Sequence, residues 1–305
     1  MMDNFSITKL AENKSNFLLH YYDFISARDA FRFLLKKLKN EKTRILLPAY
    51  IGISEKEGSG IFDPIRETGI DYSLYRMNDI LTVDFDDLKN KTYNNKKNAV
   101  LIINYFGLNT PNKKEIISYL KSKNIQIIED DAHAIFSFYN SSQRDFDYAF
   151  FSIHKMLPFS NGGVLVSKTD LDISKNSNLE FLRYDLRKIS DKRIRNFCFI
   201  HDELKKIKKK HIEICAISLG NAVPQTYPIL LEGTALRDHL YYKMNEKGFG
   251  VVSLYHSLVS EIDDSFTIEH MMSRRILNLP IHQDITLTQI ESMIKCLMLL
   301  IDEFN

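Results

Sequence analysis

Lys155 stands in the run Phe150-Phe151-Ser152-Ile153-His154-Lys155-Met156-Leu157-Pro158, an apolar stretch that turns polar just before the pair Gly162-Gly163. Upstream, another apolar run ends in Glu129-Asp130-Asp131-Ala132-His133. A carboxylate at one strand end and an amine just past the next strand can hold a single heteroaromatic aldehyde between them. The amine forms a Schiff base with the aldehyde and later shuttles a proton between substrate carbon and cofactor carbon. A carboxylate beside the ring nitrogen stabilises the protonated ring, which is the better electron sink. This points to pyridoxal 5′-phosphate, with Lys155 and Asp130 as the catalytic pair.

The neighbouring residues extend the pattern, each with an ordinary structural alternative. His133 is placed to hydrogen-bond the 3′ oxygen of the ring, or is a satisfied buried histidine. Ser152, three residues before Lys155, is positioned to donate to the cofactor phosphate, or is an ordinary strand serine. Ser26-Ala27-Arg28 opens an amphipathic helix whose first N–H groups suit a phosphate; Ser26 serves equally well as a plain N-cap. Asn104, in Asn104-Tyr105-Phe106-Gly107, either reaches the ring 3′ oxygen or forms a turn with Gly107.

The elements that must position these residues follow from the hydrophobic pattern. Strands are expected at Arg44 to Pro48, Ala99 to Phe106, Ile125 to Glu129, Tyr148 to Ser152 and Gly163 to Ser167. Helices are expected over Ala27 to Lys39, with Ser26 as N-cap, and over Asn112 to Asn124, where Ile116, Ile117 and Leu120 recur at helical spacing. Short apolar runs alternating with amphipathic segments predict an α/β fold, a mostly parallel sheet flanked by helices, with ligands at the carboxyl ends of its strands. From about residue 186 the texture changes: a charged helical tract to Lys210, a strand-like Ala222 to Leu231, a helix from Thr234 to Lys247 ending at Gly248, and a closing helix from Thr286 to Phe304. The expected division is a large domain over 1–185 and a smaller α+β domain over 186–305.

Composition bounds the partners. The 305 residues carry 41 Lys and Arg against 39 Asp and Glu, a net charge of +2, so no global charge calls for nucleic acid or an anionic membrane. The basic run Lys205 to Lys210 has no interleaved aromatics and reads as a solvated helix face. Cys198, Cys215 and Cys296 lack any CxxC spacing and read as reduced and structural, and no metal site is expected. The N-terminus has no signal-peptide pattern, and no apolar run approaches the ~20 residues of a membrane span. The expected location is cytoplasmic.

These motifs together resemble those of the DegT/StrS-type sugar aminotransferases, within the aspartate aminotransferase superfamily of fold type I. Ile128-Glu129-Asp130-Asp131-Ala132-His133-Ala134 is similar to that family's Ile-Glu-Asp-x-Ala-Gln/His-Ala segment. Ser152-Ile153-His154-Lys155 with Gly162-Gly163 resembles its lysine-bearing strand and glycine pair. Leu47-Pro48-Ala49-Tyr50, Asn104-Tyr105-Phe106-Gly107 and Arg275 to His282 resemble its second-strand turn, a later turn and its small-domain ending. The resemblance implies Lys155 as the internal aldimine, Asp130 on the pyridinium, His133 on the 3′ oxygen, and Ser26 and Ser152 near the phosphate. It also implies a homodimer, glutamate as amino donor and a nucleotide-linked ketosugar as acceptor.

Two departures stand out. Where relatives read Ser-Gly-Thr, this chain has Ser26-Ala27-Arg28, which replaces a phosphate-binding hydroxyl by a guanidinium or loses the contact. No Gly-x-Asn-x-Arg follows the lysine, and Asp170 to Asn196 is polar and short. The competing readings are a catalytically idle binding relative and a pyridoxal-phosphate lyase or dehydratase. A dehydrogenase would want GxGxxG after the first strand, and none is present.

Overall fold

Valine, isoleucine, leucine and phenylalanine dominate the central runs of the sequence, and a strand can bear such residues on both of its faces only when helices cover both. In a computed structural model that describes residues 19–78, 82–93, 96–141, 145–173, 180–207, 211–214 and 219–304, this is how they are used. The strands are β1 (His20–Phe24), β2 (Arg44–Pro48), β3 (Tyr72–Tyr75), β4 (Asn98–Ile103), β5 (Gln126–Asp130), β6 (Tyr148–Ser152) and β7 (Gly163–Ser167), in the spatial order β1-β7-β6-β5-β4-β2-β3. All of β4, β6 and β7 is buried. β2 to β6 pair in parallel; β7 runs antiparallel to both β6 and β1, so it is the one reversed strand.

Helix α1 (Ala27–Asn40) lays Ala30, Phe31, Leu34, Leu35 and Leu38 against this sheet, and Phe31 stacks on Phe150 of β6 at 4.9 Å. α2 (Phe62–Thr68), α3 (Phe85–Thr92), α4 (Lys113–Ser122) and α5 (Ile135–Asn140) fill the remaining connections. The second half of the chain opens with the 21-residue α6 (Leu186–Lys206). A second sheet follows, in the order β10-β9-β8, from β8 (Ile212–Ile214), β9 (Thr226–Leu231) and β10 (Ile276–Pro280), with α7 (Thr234–Glu246), α8 (Thr267–Arg275) and α9 (Leu287–Phe304) beside it.

Several boundaries differ from those expected. The strand expected to reach Phe106 stops at Ile103, because Asn104 begins a tight turn in which Phe106 takes a left-handed φ of 56°. The expected strand from Ala222 starts only at Thr226, since the Val223 and Gln225 N–H groups donate to Ser137 Oγ and the Phe106 carbonyl instead of to a ladder. The edge strand β1 and the short β3 were not foreseen: His20–Phe24 and Tyr72–Tyr75 carry polar groups that blur their apolar pattern. Lys208 to Lys210 of the basic run and Cys215 lie outside the described residues. Among the described residues, no helix is long and apolar enough to cross a membrane.

The topology has one consequence for chemistry. The ends of β1, β4, β5 and β6 and the start of β7 all lie on one edge of the sheet, since Phe24 pairs with Gly163, Gly163 with Ser152, and Asp130 with Ile103 and Phe150. Gly163 lets this edge close. A Cβ there would lie 2.1 Å from the Ser26 carbonyl carbon and 2.3 Å from the Ala27 nitrogen, both backbone atoms that cannot yield. Gly163→Ala is expected to destabilise the chain by about 3 kcal/mol or more, as overpacking against backbone does, read as a lowered denaturant midpoint.

Candidate active site

Asp130 ends β5, and the chain then turns so tightly that the Ala132 N–H donates to Asp130 Oδ1 at 2.8 Å and the Ala134 N–H to the Asp131 carbonyl at 2.8 Å. This turn presents His133 beside the loop after β6. There, the Met156 and Leu157 N–H groups both donate to the Ile153 carbonyl, fixing a compact bend that carries Lys155. Lys155 Nζ and His133 Nε2 are 3.1 Å apart. All eight residues singled out from the sequence (Ser26, Ala27, Arg28, Asn104, Asp130, His133, Ser152 and Lys155) line one cavity of about 780 Å³.

Electrostatics in this cavity follow from the burial of its ionisable groups. Asp130 is buried, and burial pushes its carboxyl up to about 6, against the opposing pull of the Ala132 N–H and the Lys155 charge. Among the described residues Asp130 has no ion-pair partner, so one oxygen of a buried carboxylate remains for a cation in the cavity. Lys155 is exposed as a residue; desolvation of its amine within the cavity lowers its pKa, while the Asp130 charge raises it. Burial first, and the Lys155 charge second, hold His133 well below the usual imidazole range. A neutral His133 therefore accepts from the lysine at Nε2, which puts its own proton on Nδ1.

Several of these side chains are engaged within the protein, and Ser26 takes the capping role that the sequence offered beside phosphate binding. Ser26 Oγ accepts from the Asp29 N–H at 3.1 Å and donates to Asp29 Oδ2 at 2.7 Å, so the hydroxyl acts as the N-cap of α1. The Asn104 carboxamide is also committed. Its nitrogen donates to Asp131 Oδ1 and to Glu129 Oε2, and its oxygen accepts from Lys113 Nζ at 3.2 Å, while its backbone carbonyl accepts from the Gly107 N–H at 3.1 Å in the turn that the sequence offered as an alternative. Together with the Lys113–Glu129 ion pair at 2.8 Å, these bonds satisfy the two carboxylates flanking Asp130 in sequence. Arg28 donates to the Glu57 carbonyl and lies 3.9 Å from Asp63 Oδ2, which anchors the loop over the cavity. Ser152 Oγ lies 3.2 Å from His154 Nδ1.

Residues from the second half of the chain complete the cavity and were not read from the sequence. Ser253, Leu254, Tyr255 and His256 line it. Tyr255 adopts a left-handed φ of 61° and packs among Tyr50, Tyr105, Phe106 and His133, with ring centroids 5.2 to 6.1 Å away. Gly52 makes the space: a Cβ there would meet Tyr255 Cδ1 at 2.8 Å. A tyrosine in the left-handed region carries no sequence signature, so only the fold could reveal it.

No protein-family model and no curated protein matches the chain. Solved structures do. A DegT DnrJ EryC1 StrS aminotransferase from Brucella abortus superposes with a TM-score of 0.69 at 14% identity, covering 92% of this chain and 85% of that one. NtdA from Bacillus subtilis, solved with bound cofactor PMP, gives 0.67 at 15% identity over 92% and 73% of the two chains. A NifS-like protein from Rickettsia africae gives 0.67 at 17% over 93% and 82%. The chain therefore has the aspartate aminotransferase-like α/β fold expected from its sequence. It is the fold that the DegT/StrS-type aminotransferases share with NifS-like proteins, so the likeness defines architecture and leaves chemistry to the site.

Proposed function

We propose that the chain is a pyridoxal-phosphate-dependent aminotransferase that moves an amino group from glutamate to a nucleotide-linked ketosugar. The observation that carries the reading is one cavity, at the carboxyl ends of β5 and β6, faced by both a lysine amine and a buried carboxylate that has no ion pair among the described residues. This donor set fits the cofactor: Lys155 for the aldehyde, Asp130 for the ring nitrogen, and the N-terminus of the 14-residue α1 with Arg28 for the phosphate. Bound there, pyridoxal phosphate supplies an aldehyde that condenses with amines and a ring that takes up the electrons of a substrate C–H bond.

The chain's own residues supply the rest. Lys155, with its lowered pKa, gives up its proton more readily than a surface lysine and can return it at the substrate carbon. His133 orients the Lys155 amine through Nε2 and, staying neutral, does not compete for that proton. Asp130 supplies the negative charge that favours a protonated ring nitrogen. Tyr255 and the loop from Gly52 to Gly60 line the cavity and shape the space a substrate would enter.

Residues 1–185 form the cofactor-binding domain in this reading and 186–305 the smaller domain, with Tyr255 reaching the site from the latter. A homodimer in which partners complete each other's phosphate site accounts for the hydroxyl that Ser26 withholds as a cap. The test is spectroscopic. Purified chain incubated with pyridoxal phosphate is expected to turn yellow, to be fixed by borohydride at Lys155, and to lose the colour with glutamate. No colour and no borohydride adduct would overturn the proposal.

A further inference from the structure

Lys155 and His154 also border a second cavity, of about 520 Å³, whose far wall is α6 and the loop around His282. Arg193 of α6 lines it, and its side chain is almost wholly buried, at 3% exposure. Nε donates to Gln283 Oε1 and Nη1 to the Gln225 carbonyl, each at 3.1 Å, and the guanidinium lies 5.5 Å from the Phe136 ring centroid. A guanidinium has five N–H donors, and these two bonds use two of them.

No carboxylate among the described residues forms an ion pair with Arg193. Asp284, the acid whose charge it feels most, is exposed and lies 3.8 Å from His282 instead. A neutral amide could make the bonds to Gln225 and Gln283 without the penalty of a buried charge, so tethering α6 alone does not explain an arginine here. Burial pulls its pKa down to about 10, which leaves it charged at neutral pH. Lys188 and Lys192, on the same helix, line the same cavity and have no ion pair among the described residues. With Lys155, the wall presents four basic groups against Asp185 and Asp284.

We infer that Arg193 is the anion-binding residue of the substrate pocket: it clamps a carboxylate or phosphate borne by the molecule whose amine or carbonyl reaches Lys155, with Lys188 and Lys192 at the rim. The inference rests on Lys155 being the reactive amine. A guanidinium fork suits either oxyanion, because both offer two oxygens to parallel N–H donors. One class of substrate carries the carboxylate, an amino-acid donor; the other carries the phosphate, a nucleotide-linked or phosphorylated acceptor.

The test titrates the full chain calorimetrically with glutarate and, separately, with inorganic phosphate, for the wild type, Arg193→Gln, Arg193→Lys and Lys192→Glu. The wild type is expected to bind at least one anion, and Arg193→Gln to weaken it by about 10- to 100-fold, the worth of a charge-assisted pair. Arg193→Lys should fall between, because the charge remains and the fork is lost; Lys192→Glu should weaken binding several-fold. Loss confined to glutarate assigns the donor carboxylate, and loss confined to phosphate assigns the acceptor. Wild-type chain that binds neither anion, or Arg193→Gln and Lys192→Glu chains that bind as the wild type does, overturns the inference. If Arg193→Gln does not fold by its thermal melt, Arg193→Lys and Lys192→Glu decide. Cofactor colour is measured in parallel: its absence in the wild type counts against the aminotransferase reading, whereas the anion titration judges Arg193 on its own.

Discussion

Lys155→Ala is expected to fold, to melt within a few degrees of the wild type, and to lose amino transfer by at least ~10³-fold. The loss exceeds that of a single general acid–base group, because the same amine is assigned both the covalent hold on the aldehyde and the proton transfer. Folding should be spared, since the Lys155 amine makes one hydrogen bond, to His133, and its desolvation is a burden on the native state. Borohydride treatment after cofactor addition should label the wild type at residue 155 and leave the variant unlabelled. Added methylamine, a small amine able to stand in for the missing side chain, should restore part of the rate. Undiminished transfer in the variant, or a borohydride label on another lysine, would remove Lys155 from its role.

How far the sequence revealed this site depended on the kind of signal each residue left. The lysine and aspartate loops were legible because each follows a short apolar strand that is buried on both faces, a pattern a parallel sheet imposes on the chain. The phosphate end was legible as a helix start, yet sequence could not decide whether Ser26 would cap or bind, because one hydroxyl suits both tasks; the structure has it capping. Asn104 was read as reaching a ligand or forming a turn with Gly107, and the turn is there; what the sequence did not show is that three carboxylates follow one another from Glu129 to Asp131, and the two outer ones needed donors once buried. Asn104 and Lys113 supply them, which leaves Asp130 as the buried carboxylate that, among the described residues, faces the cavity without an ion pair. Tyr255 and Arg193 left no local trace at all. Each sits more than 35 residues from Lys155 in the sequence, and each gains its meaning from long-range packing of the second half of the chain against the sheet edge.

That isolation of Asp130 predicts opposite effects of one substitution on stability and on chemistry. Its carboxyl is raised from 3.8 to about 6 in the folded chain, chiefly by burial. Above pH 6 the native state therefore holds a buried charge that the unfolded chain would hold in water, at a cost of about 3 kcal/mol. Between pH 4 and pH 6 the folded form binds the proton that the unfolded form releases, so the native state gains relative stability as pH falls through 6. Asp130→Asn removes the charge and keeps an oxygen for the Ala132 N–H. Cofactor-free Asp130→Asn chain is thus expected to be more stable than the wild type at pH 8, by on the order of 3 kcal/mol, since the raised pKa already includes the attraction to Lys155. The difference should shrink through pH 6 and vanish near pH 4. Amino transfer should move the other way, falling by ~10²-fold or more, since a ring nitrogen without its counter-charge is a poorer electron sink. Denaturant melts of the two cofactor-free chains at pH 8 and pH 4.5, set beside glutamate half-reaction rates, check both halves. A variant less stable than the wild type at pH 8 would mean that Asp130 is held for folding, and the carboxylate would then have no need of a cationic ring to explain its burial.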